Sequence, residues 1–385
     1  MPASATRGIL LGFFISGLLL SFLGAILPAW GFHLRSDYLW VGNYFLGLNA
    51  GLLASVPMAN RMLRSGNPRA ALAVGAAVAA AAFFYLSAVG PPLHDWWRMA
   101  GIFWIGVSGG LLNAALFTAI SPLYRRDPAA TVNLCGLSFG IGSLVAALMV
   151  AGAFYIYTTG AILFFLGVLP SFVAVHYART RFRAEARPES APLRRAIYDF
   201  QSPAAVLFAL LLFFQFGNEW AIAGWLPLFL VQRLGISPAT SLLLLGLYWL
   251  ALLAGRIIAQ ALLTRVSHGK LLAASVVSAV FGCVILSFTN NLFGAATACL
   301  MVGGGFASIY PLVVERIGNR FPYYHPGFFN GLFSLAVTGG LLAPASLGYL
   351  AHFFGIGLIM LAPLVGSVAV LVLLAVIWIE ARLSH

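Results

Sequence analysis

Charged residues are scarce in this chain, and acidic residues are the scarcest. Only 8% of the 385 residues are charged, with nine Asp and Glu against 21 Lys and Arg, whereas 62% are hydrophobic. The mean hydropathy is +0.98, and no long polar domain interrupts the apolar sequence. This composition excludes an ordinary soluble protein of this length and predicts an integral membrane protein.

Cysteine is also rare. Cys135, Cys283 and Cys299 lie in apolar segments without a CxxC or ligand-like spacing. This pattern excludes a disulfide framework and indicates no metal site. Paired catalytic carboxylates, a Ser/His pair and an HExxH motif are missing from the sequence as well. We therefore expect no enzyme and no cofactor.

Long apolar runs fill most of the chain instead. A helix of about 20 apolar residues spans a bilayer, and such a window predicts twelve transmembrane helices, at 8–30, 39–60, 70–90, 98–121, 131–155, 159–179, 203–231, 240–264, 271–289, 292–314, 327–350 and 355–379. The first run is too long for a signal peptide and has no cleavage site after it. We predict an all-α membrane fold with six-helix bundles at 1–180 and 202–385, joined by a basic linker at 181–201.

The cations predict the orientation, because positively charged loops stay in the cytoplasm. Most of the 21 cations fall on the side of the N-terminus, in the loops and linker that contain Arg7, Arg61, Arg64, Arg69, Arg125, Arg126, six arginines from Arg179 to Arg195, Arg265, Lys270, Arg316, Arg320 and Arg382. Both termini are therefore expected in the cytoplasm of a bacterial-type inner membrane. The cations are spread over short segments beside apolar helices, so we expect no nucleic-acid partner.

The two halves resemble each other. An offset of 199 aligns Pro28 with Pro227, and an offset of 204 aligns Gly51 with Gly255. At an offset of 197, Asn133, Gly142, Leu144 and Ala146 align with Asn330, Gly339, Leu341 and Ala343. Internal repeats of this kind place the solute of a transporter at the repeat interface. The pairs of glycines four residues apart, 47/51 and 106/110, also predict closely approaching helices.

Six plus six helices, a basic middle linker and basic loops after helices two and eight resemble the major facilitator superfamily. The superfamily's signature after helix two is reduced here to Asn-Arg-Met-Leu-Arg at 60–64, and its copy to Gly255-Arg256 and Arg265. The run Gly-Asn-Glu-Trp-Ala-Ile-Ala-Gly-Trp-Leu at 217–226 and Phe-Ala-Ser-Ile-Tyr-Pro at 306–311 are similar to the fucose and glucose/galactose permease group. The resemblance implies a monomeric carrier that moves a sugar by alternating access.

Glu219 is the most informative single residue. It lies near the middle of the span 203–231, about 3 Å from the membrane midplane at 1.5 Å per residue. A charge at that depth costs about 2.5–3.5 kcal/mol, so such a residue normally faces a solute or ion path. Carboxylates, amides and aromatic faces suit a polyol. Candidates at similar depth are Asn43, Asn113, Gln215, Asn218, Trp220, Tyr248, Trp249 and Tyr310.

Each of these residues has a plainer interpretation. Asn side chains in membrane helices often bond across helices, with about 0.6 kcal/mol on average, and Trp220 and Trp249 suit a core or lipid-facing position. Five further tryptophans near the predicted outer helix ends are typical of an interfacial aromatic belt: Trp30, Trp40, Trp96, Trp97 and Trp225.

Other charges allow two interpretations each. Arg256 either forms a charge pair with Glu219 or extends towards the headgroups. Glu315 and Arg316 form either an inner gate or a solvated pair, and Arg61 and Arg265 are gate candidates in the basic loops.

One departure from the sugar group concerns ion coupling. Proton-coupled members are expected to carry carboxylates on helices one and four, but 8–30 and 98–121 contain no Asp or Glu. Three mechanisms remain open, which are proton coupling through Glu219 alone, coupling to another ion and facilitated diffusion. We predict a carrier of a monosaccharide or polyol. The alternatives are an exporter of amphipathic compounds, a lipid translocator and a transporter-like receptor that moves nothing.

Overall fold

The chain is helical throughout the parts that the structure describes. A computed structural model describes residues 3–35, 37–64, 67–90, 93–126, 128–180, 182, 202–321 and 326–383. The α-helices are α1 (Ala3–Ile26), α2 (Phe32–Arg35), α3 (Tyr38–Met62), α4 (Arg69–Ala88), α5 (Asp95–Arg126), α6 (Pro128–Ala153), α7 (Thr159–Arg179), α8 (Pro203–Leu234), α9 (Pro238–Leu262), α10 (His268–Phe288), α11 (Leu292–Arg320), α12 (Pro326–Phe354) and α13 (Leu361–Leu383), with a 3₁₀ turn at Ile356–Leu358.

Twelve helices within the described ranges are long and apolar enough to cross a membrane, and the four-residue α2 is the exception. Lipid offers no hydrogen-bond partners, so a spanning backbone satisfies its own amides by forming a helix. Each predicted span corresponds to one of these helices. The prediction of an all-α fold with twelve transmembrane helices is confirmed.

Contacts divide the chain into two compact units. The first comprises Met1–Arg187 with Ile236–Gly246, and the second comprises Pro188–Gly235 with Leu247–His385. The predicted bundle boundaries at 180 and 202 stay a prediction, because residues 183–201 lie outside the described ranges.

Local signals set several helix ends. Thr158 precedes α7, and its side chain accepts a hydrogen bond from the Ala161 amide. Asn291 caps α11 in the same way, by accepting from the Gly294 amide at 2.7 Å. Gly235 ends α8 in the left-handed conformation, with φ of 63°, which a residue without a side chain adopts at little cost.

Glycines let paired helices touch backbone to backbone at equivalent places in the two units. A methyl group on Gly142 of α6 would overlap the carbonyl of Phe14 in α1, and one on Gly339 of α12 would overlap the carbonyl of Phe213 in α8. The offset of 197 aligns the two glycines, and the offset of 199 relates the two phenylalanines. The packing therefore supports the internal repeat.

A second pair of glycine contacts follows the offset of 204. Gly51 of α3 lies against the carbonyl of Phe103 in α5, and Gly255 of α9 lies against Gly304 of α11. The prediction of close approach at the pairs 47/51 and 106/110 is confirmed at Gly51 and Gly106, because a methyl on Gly106 would lie 3.1 Å from the Cα of Gly51.

The predicted aromatic belt is correct for some tryptophans and wrong for others. Trp96 and Trp97 are 63% and 55% exposed, as an interfacial position requires. Trp225 is instead fully buried, and its indole Nε1 donates to the carbonyl of Pro344 at 2.8 Å, which joins α8 to α12. Trp30 is buried as well.

The glycine contact between α1 and α6 gives a stability prediction. Gly142→Ala should lower the melting temperature of the purified protein in detergent, because the added methyl meets backbone atoms that cannot move aside. Overpacking of this kind costs about 1–3 kcal/mol. Gly152→Ala on the same helix is the matched control, because nothing lies within 4 Å of its added methyl. Equal melting temperatures for the two variants would contradict this account of the packing.

Candidate functional site

Glu219 and Gln215 form a hydrogen-bonded pair on one face of α8. Gln215 Nε2 donates to Glu219 Oε1 at 2.8 Å, as their spacing of one helical turn allows. Gln215 is fully buried, whereas Glu219 is half-buried. The pair thus leaves one side of the carboxylate accessible.

Arg256 on α9 is the cation that interacts with the carboxylate of this pair. It interacts electrostatically with Glu219, Tyr248 and Tyr310. No carboxylate of the described residues lies within 4.0 Å of its guanidinium, so the two charges are neighbours without direct contact. The electrostatic interaction with Glu219 agrees with the charge-pair interpretation, but the choice between the two interpretations of Arg256 stays a prediction.

Aromatic rings lie beside the two charges. The rings of Tyr248 and Trp249 on α9 are 5.3 Å apart, and those of Phe216 on α8 and Tyr310 on α11 are 5.2 Å apart and nearly perpendicular. Flat apolar faces next to polar groups are what carbohydrate-like solutes need. We call Gln215, Glu219, Tyr248, Trp249, Arg256 and Tyr310 the Glu219 cluster.

Close helix contacts fix the backbone of this cluster. A methyl on Gly303 of α11 would overlap the carbonyl of Tyr248, and Gly255, which lies against Gly304, precedes Arg256. On α8, the contact between Gly339 and Phe213 lies two residues before Gln215. The cluster is thereby carried on helices that cannot shift apart easily.

Several buried polar atoms in the cluster have no hydrogen-bond partner. These atoms are Gln215 Oε1, Tyr248 OH, Trp249 Nε1 and Arg256 Nε. A buried polar atom without a partner costs about 1–3 kcal/mol. In the described part of the second unit, every such atom belongs to this cluster. Their concentration on α8 and α9 makes this cluster a candidate site for a polar ligand or water.

Other predicted residues of the second unit pack between helices. Asn218 is 4% exposed and donates through Nδ2 to Ser367 Oγ at 3.3 Å, with its amide against Gly366 of α13. Trp220 lies against Gly340 of α12. These contacts favour the packing interpretation for both residues.

Asn43 and Asn113 belong to the first unit. Ser16 Oγ donates to Asn113 Oδ1 at 2.9 Å, which joins α1 to α5, and both asparagines are half-buried. A hydrogen bond between two helices is what the packing interpretation of Asn113 predicts.

The gate candidates lie near helix ends. Arg61 and Arg265 are exposed, and Arg316 is half-buried. Glu315 pairs with His268 Nε2 at 3.0 Å. His268 was not predicted, because it is distant in sequence and only the packing of α10 against α11 brings it there.

A further cluster in the first unit was not predicted from the sequence. Arg98 is 2% exposed, contacts Asp95 at 3.1 Å and lies over the Trp30 ring at 5.3 Å, while Arg35 reaches Asp95 at 3.7 Å. The three-residue spacing of Asp95 and Arg98 in the first turn of α5 is a local signal that could have indicated it.

Metal-binding groups do not come together in the described residues. No group of three or more His, Cys, Asp or Glu side chains is placed to hold an ion there. Cys135, Cys283 and Cys299 are buried and unpaired.

Known proteins of similar sequence or structure are carriers. Sialic acid transporter NanX of Escherichia coli K12 is 24% identical over 282 residues, which cover 70% of this chain and 68% of NanX. The E. coli fucose:proton symporter FucP superposes with a TM-score of 0.63 at 14% identity, covering 96% of this chain and 98% of FucP. The nucleoside transporter NupG superposes with a TM-score of 0.69 at 13% identity, with coverage of 97% and 99%.

The family model described as Major Facilitator Superfamily matches residues 9–344. This match extends from α1 into α12 and agrees with the fold of the similar structures, so the predicted fold and family are both confirmed. The chain belongs to the Major Facilitator Superfamily.

Proposed function

We propose that this chain carries a small polyhydroxy solute, a monosaccharide or a similar polyol, and that the Glu219 cluster binds it. By its family the chain is a membrane transporter of small solutes. The specific proposal rests mainly on one observation, which is the concentration of buried and unpaired polar atoms around Glu219.

The chemistry of the cluster suits hydroxyl groups. A hydroxyl both donates and accepts, and the cluster offers Gln215 Oε1 and the accessible Glu219 oxygen as acceptors beside the donors of Tyr248 and Trp249. Tyr248 and Trp249 also provide ring faces for the C–H side of a sugar. One solute could thus satisfy atoms that are otherwise unpaired at membrane depth.

The solutes named for the similar carriers point the same way. Sialic acid, fucose and nucleosides are all rich in hydroxyl groups, although the carriers named for them are distant in sequence. The structural likeness at 13–14% identity concerns the fold alone. The solute assignment therefore depends on the cluster.

For ion coupling we propose Glu219 itself. Asp95 of α5 is held by Arg98 and Arg35. Glu219 is half-buried at membrane depth, and its one direct partner among the described residues is a neutral amide. It is thus the carboxylate best placed to take up and release a proton with the solute.

We also propose that both termini face the cytoplasm of an inner membrane and that the carrier acts as a monomer. The exposed Arg61, Arg64, Arg69, Arg265 and Lys270 support this orientation, because they lie at helix ends that the alternating topology assigns to one side. Arg35, at the opposite side, is paired with Asp95.

Removal of the carboxylate tests the site. Glu219→Gln should reduce uptake of the transported sugar into proteoliposomes by about tenfold or more, because the amide has one acceptor oxygen instead of two and cannot take up the proton that we propose to accompany the solute. Glu380→Gln makes the same chemical change outside the cluster, where Glu380 pairs with Arg320 at 3.0 Å, and should retain most uptake. Uptake by Glu219→Gln at the wild-type rate would refute the assigned role.

An imposed pH difference tests the coupling. With a lower pH outside the vesicles, the wild type should accumulate the solute above its external concentration. Glu219→Gln should only equilibrate it, because the amide carries no proton. Radiolabelled uptake with and without a protonophore measures the difference. Wild-type equilibration without accumulation would contradict proton coupling and leave coupling to another ion and facilitated diffusion as the mechanisms.

A further inference from the structure

The unpaired atoms of the Glu219 cluster are divided between two helices by type. On α9, Trp249 Nε1 and Arg256 Nε can only donate, and Tyr248 OH can donate. On α8, Gln215 Oε1 and the second Glu219 oxygen can accept. The cluster is therefore polarised, with its free donors on α9 and its free acceptors on α8.

The positive charge is the one without a direct partner. Glu219 accepts a hydrogen bond from Gln215, whereas the Arg256 guanidinium has neither a hydrogen bond nor a carboxylate within 4.0 Å among the described residues. Arg256 is half-buried, so part of its guanidinium remains open. A guanidinium is a rigid planar fork that matches a carboxylate in two parallel hydrogen bonds.

The other α9 donors reinforce this preference. Trp249 and Arg256 are seven residues apart, which places them on one face of the helix. Tyr248 interacts electrostatically with Arg256 and is fully buried. A carboxylate only accepts hydrogen bonds, so a set of donors beside a cation favours it over a neutral hydroxymethyl group.

We infer that the solute is an acidic sugar whose carboxylate binds Arg256 with Tyr248 and Trp249, while its hydroxyl groups bind Gln215 and Glu219. This inference rests on the proposed function and narrows its solute class. In the empty site Arg256 and Glu219 balance each other in charge. A bound carboxylate adds one negative charge, and a proton from water on the free Glu219 oxygen restores the balance.

Matched pairs of sugars test the inference. Galacturonate and galactose differ only in a carboxylate against a hydroxymethyl group, and glucuronate and glucose form a second pair. Proteoliposome uptake by the wild type should favour the acid in at least one pair by about tenfold or more, as one charged hydrogen-bonded contact provides. Arg256→Gln should abolish this preference, because it should reduce acid uptake by about tenfold more than it reduces neutral-sugar uptake. Lys270→Gln, an exposed charge at the start of α10, should leave the preference unchanged.

Tyr248→Phe provides a second variant in case Arg256→Gln does not fold. It keeps the buried ring and removes one donor, so acid uptake should fall several-fold more than neutral uptake. Preferred uptake of the neutral sugar in every pair that is transported would overturn the inference and leave the proposed function standing. Uptake of neither member of any pair, by a wild-type protein that elutes as a single species, would overturn both.

Discussion

A charge inside a membrane protein requires a partner, and Arg98, which is buried, and Arg256, which is half-buried, meet that requirement differently. Arg98 has Asp95 at 3.1 Å and the Trp30 ring at 5.3 Å, so its charge is matched within the first unit. Arg256 has no such contact among the described residues, and the carboxylate that balances it from a distance, Glu219, bonds to Gln215 instead. On an isolated helix in the bilayer, an arginine without a partner would cost several kcal/mol. A solute or water in the cluster would supply the hydrogen-bond partners that its buried donors and acceptors lack.

The rest of the second unit fixes this incomplete arrangement in place. Gly303 and Gly255 bring α9 and α11 into backbone contact at Tyr248 and next to Arg256, and Gly339 does the same for α8 near Gln215. Trp225 adds a hydrogen bond from α8 to α12. A site whose donors and acceptors are set before the solute arrives binds it at a lower entropic cost. The glycine contacts thus serve both the stability of the unit and the geometry of the cluster.

The sequence predicts the helices and the repeat well, because both depend on local composition. A span is evident from about 20 apolar residues, and the offsets 197 and 199 predicted which helices repeat the contact of Gly142 with Phe14. Glu219 could be identified because a carboxylate is conspicuous in an apolar run. The direction of a side chain around its helix is set by neighbouring helices, and it could not be predicted. For that reason Asn218, beside Glu219 in sequence, bonds to Ser367, and Trp225 is buried rather than interfacial.

The central claim is that the Glu219 cluster recognises a polyhydroxy solute. A thermal-shift screen of the purified carrier against sugars, nucleosides, amphipathic drugs and lipids tests it most directly. The account predicts that at least one polyhydroxy compound raises the melting temperature of the wild type and that the rise disappears in Glu219→Gln. Stabilisation by lipids or amphipathic drugs alone, equal in the wild type and in Glu219→Gln, would contradict it.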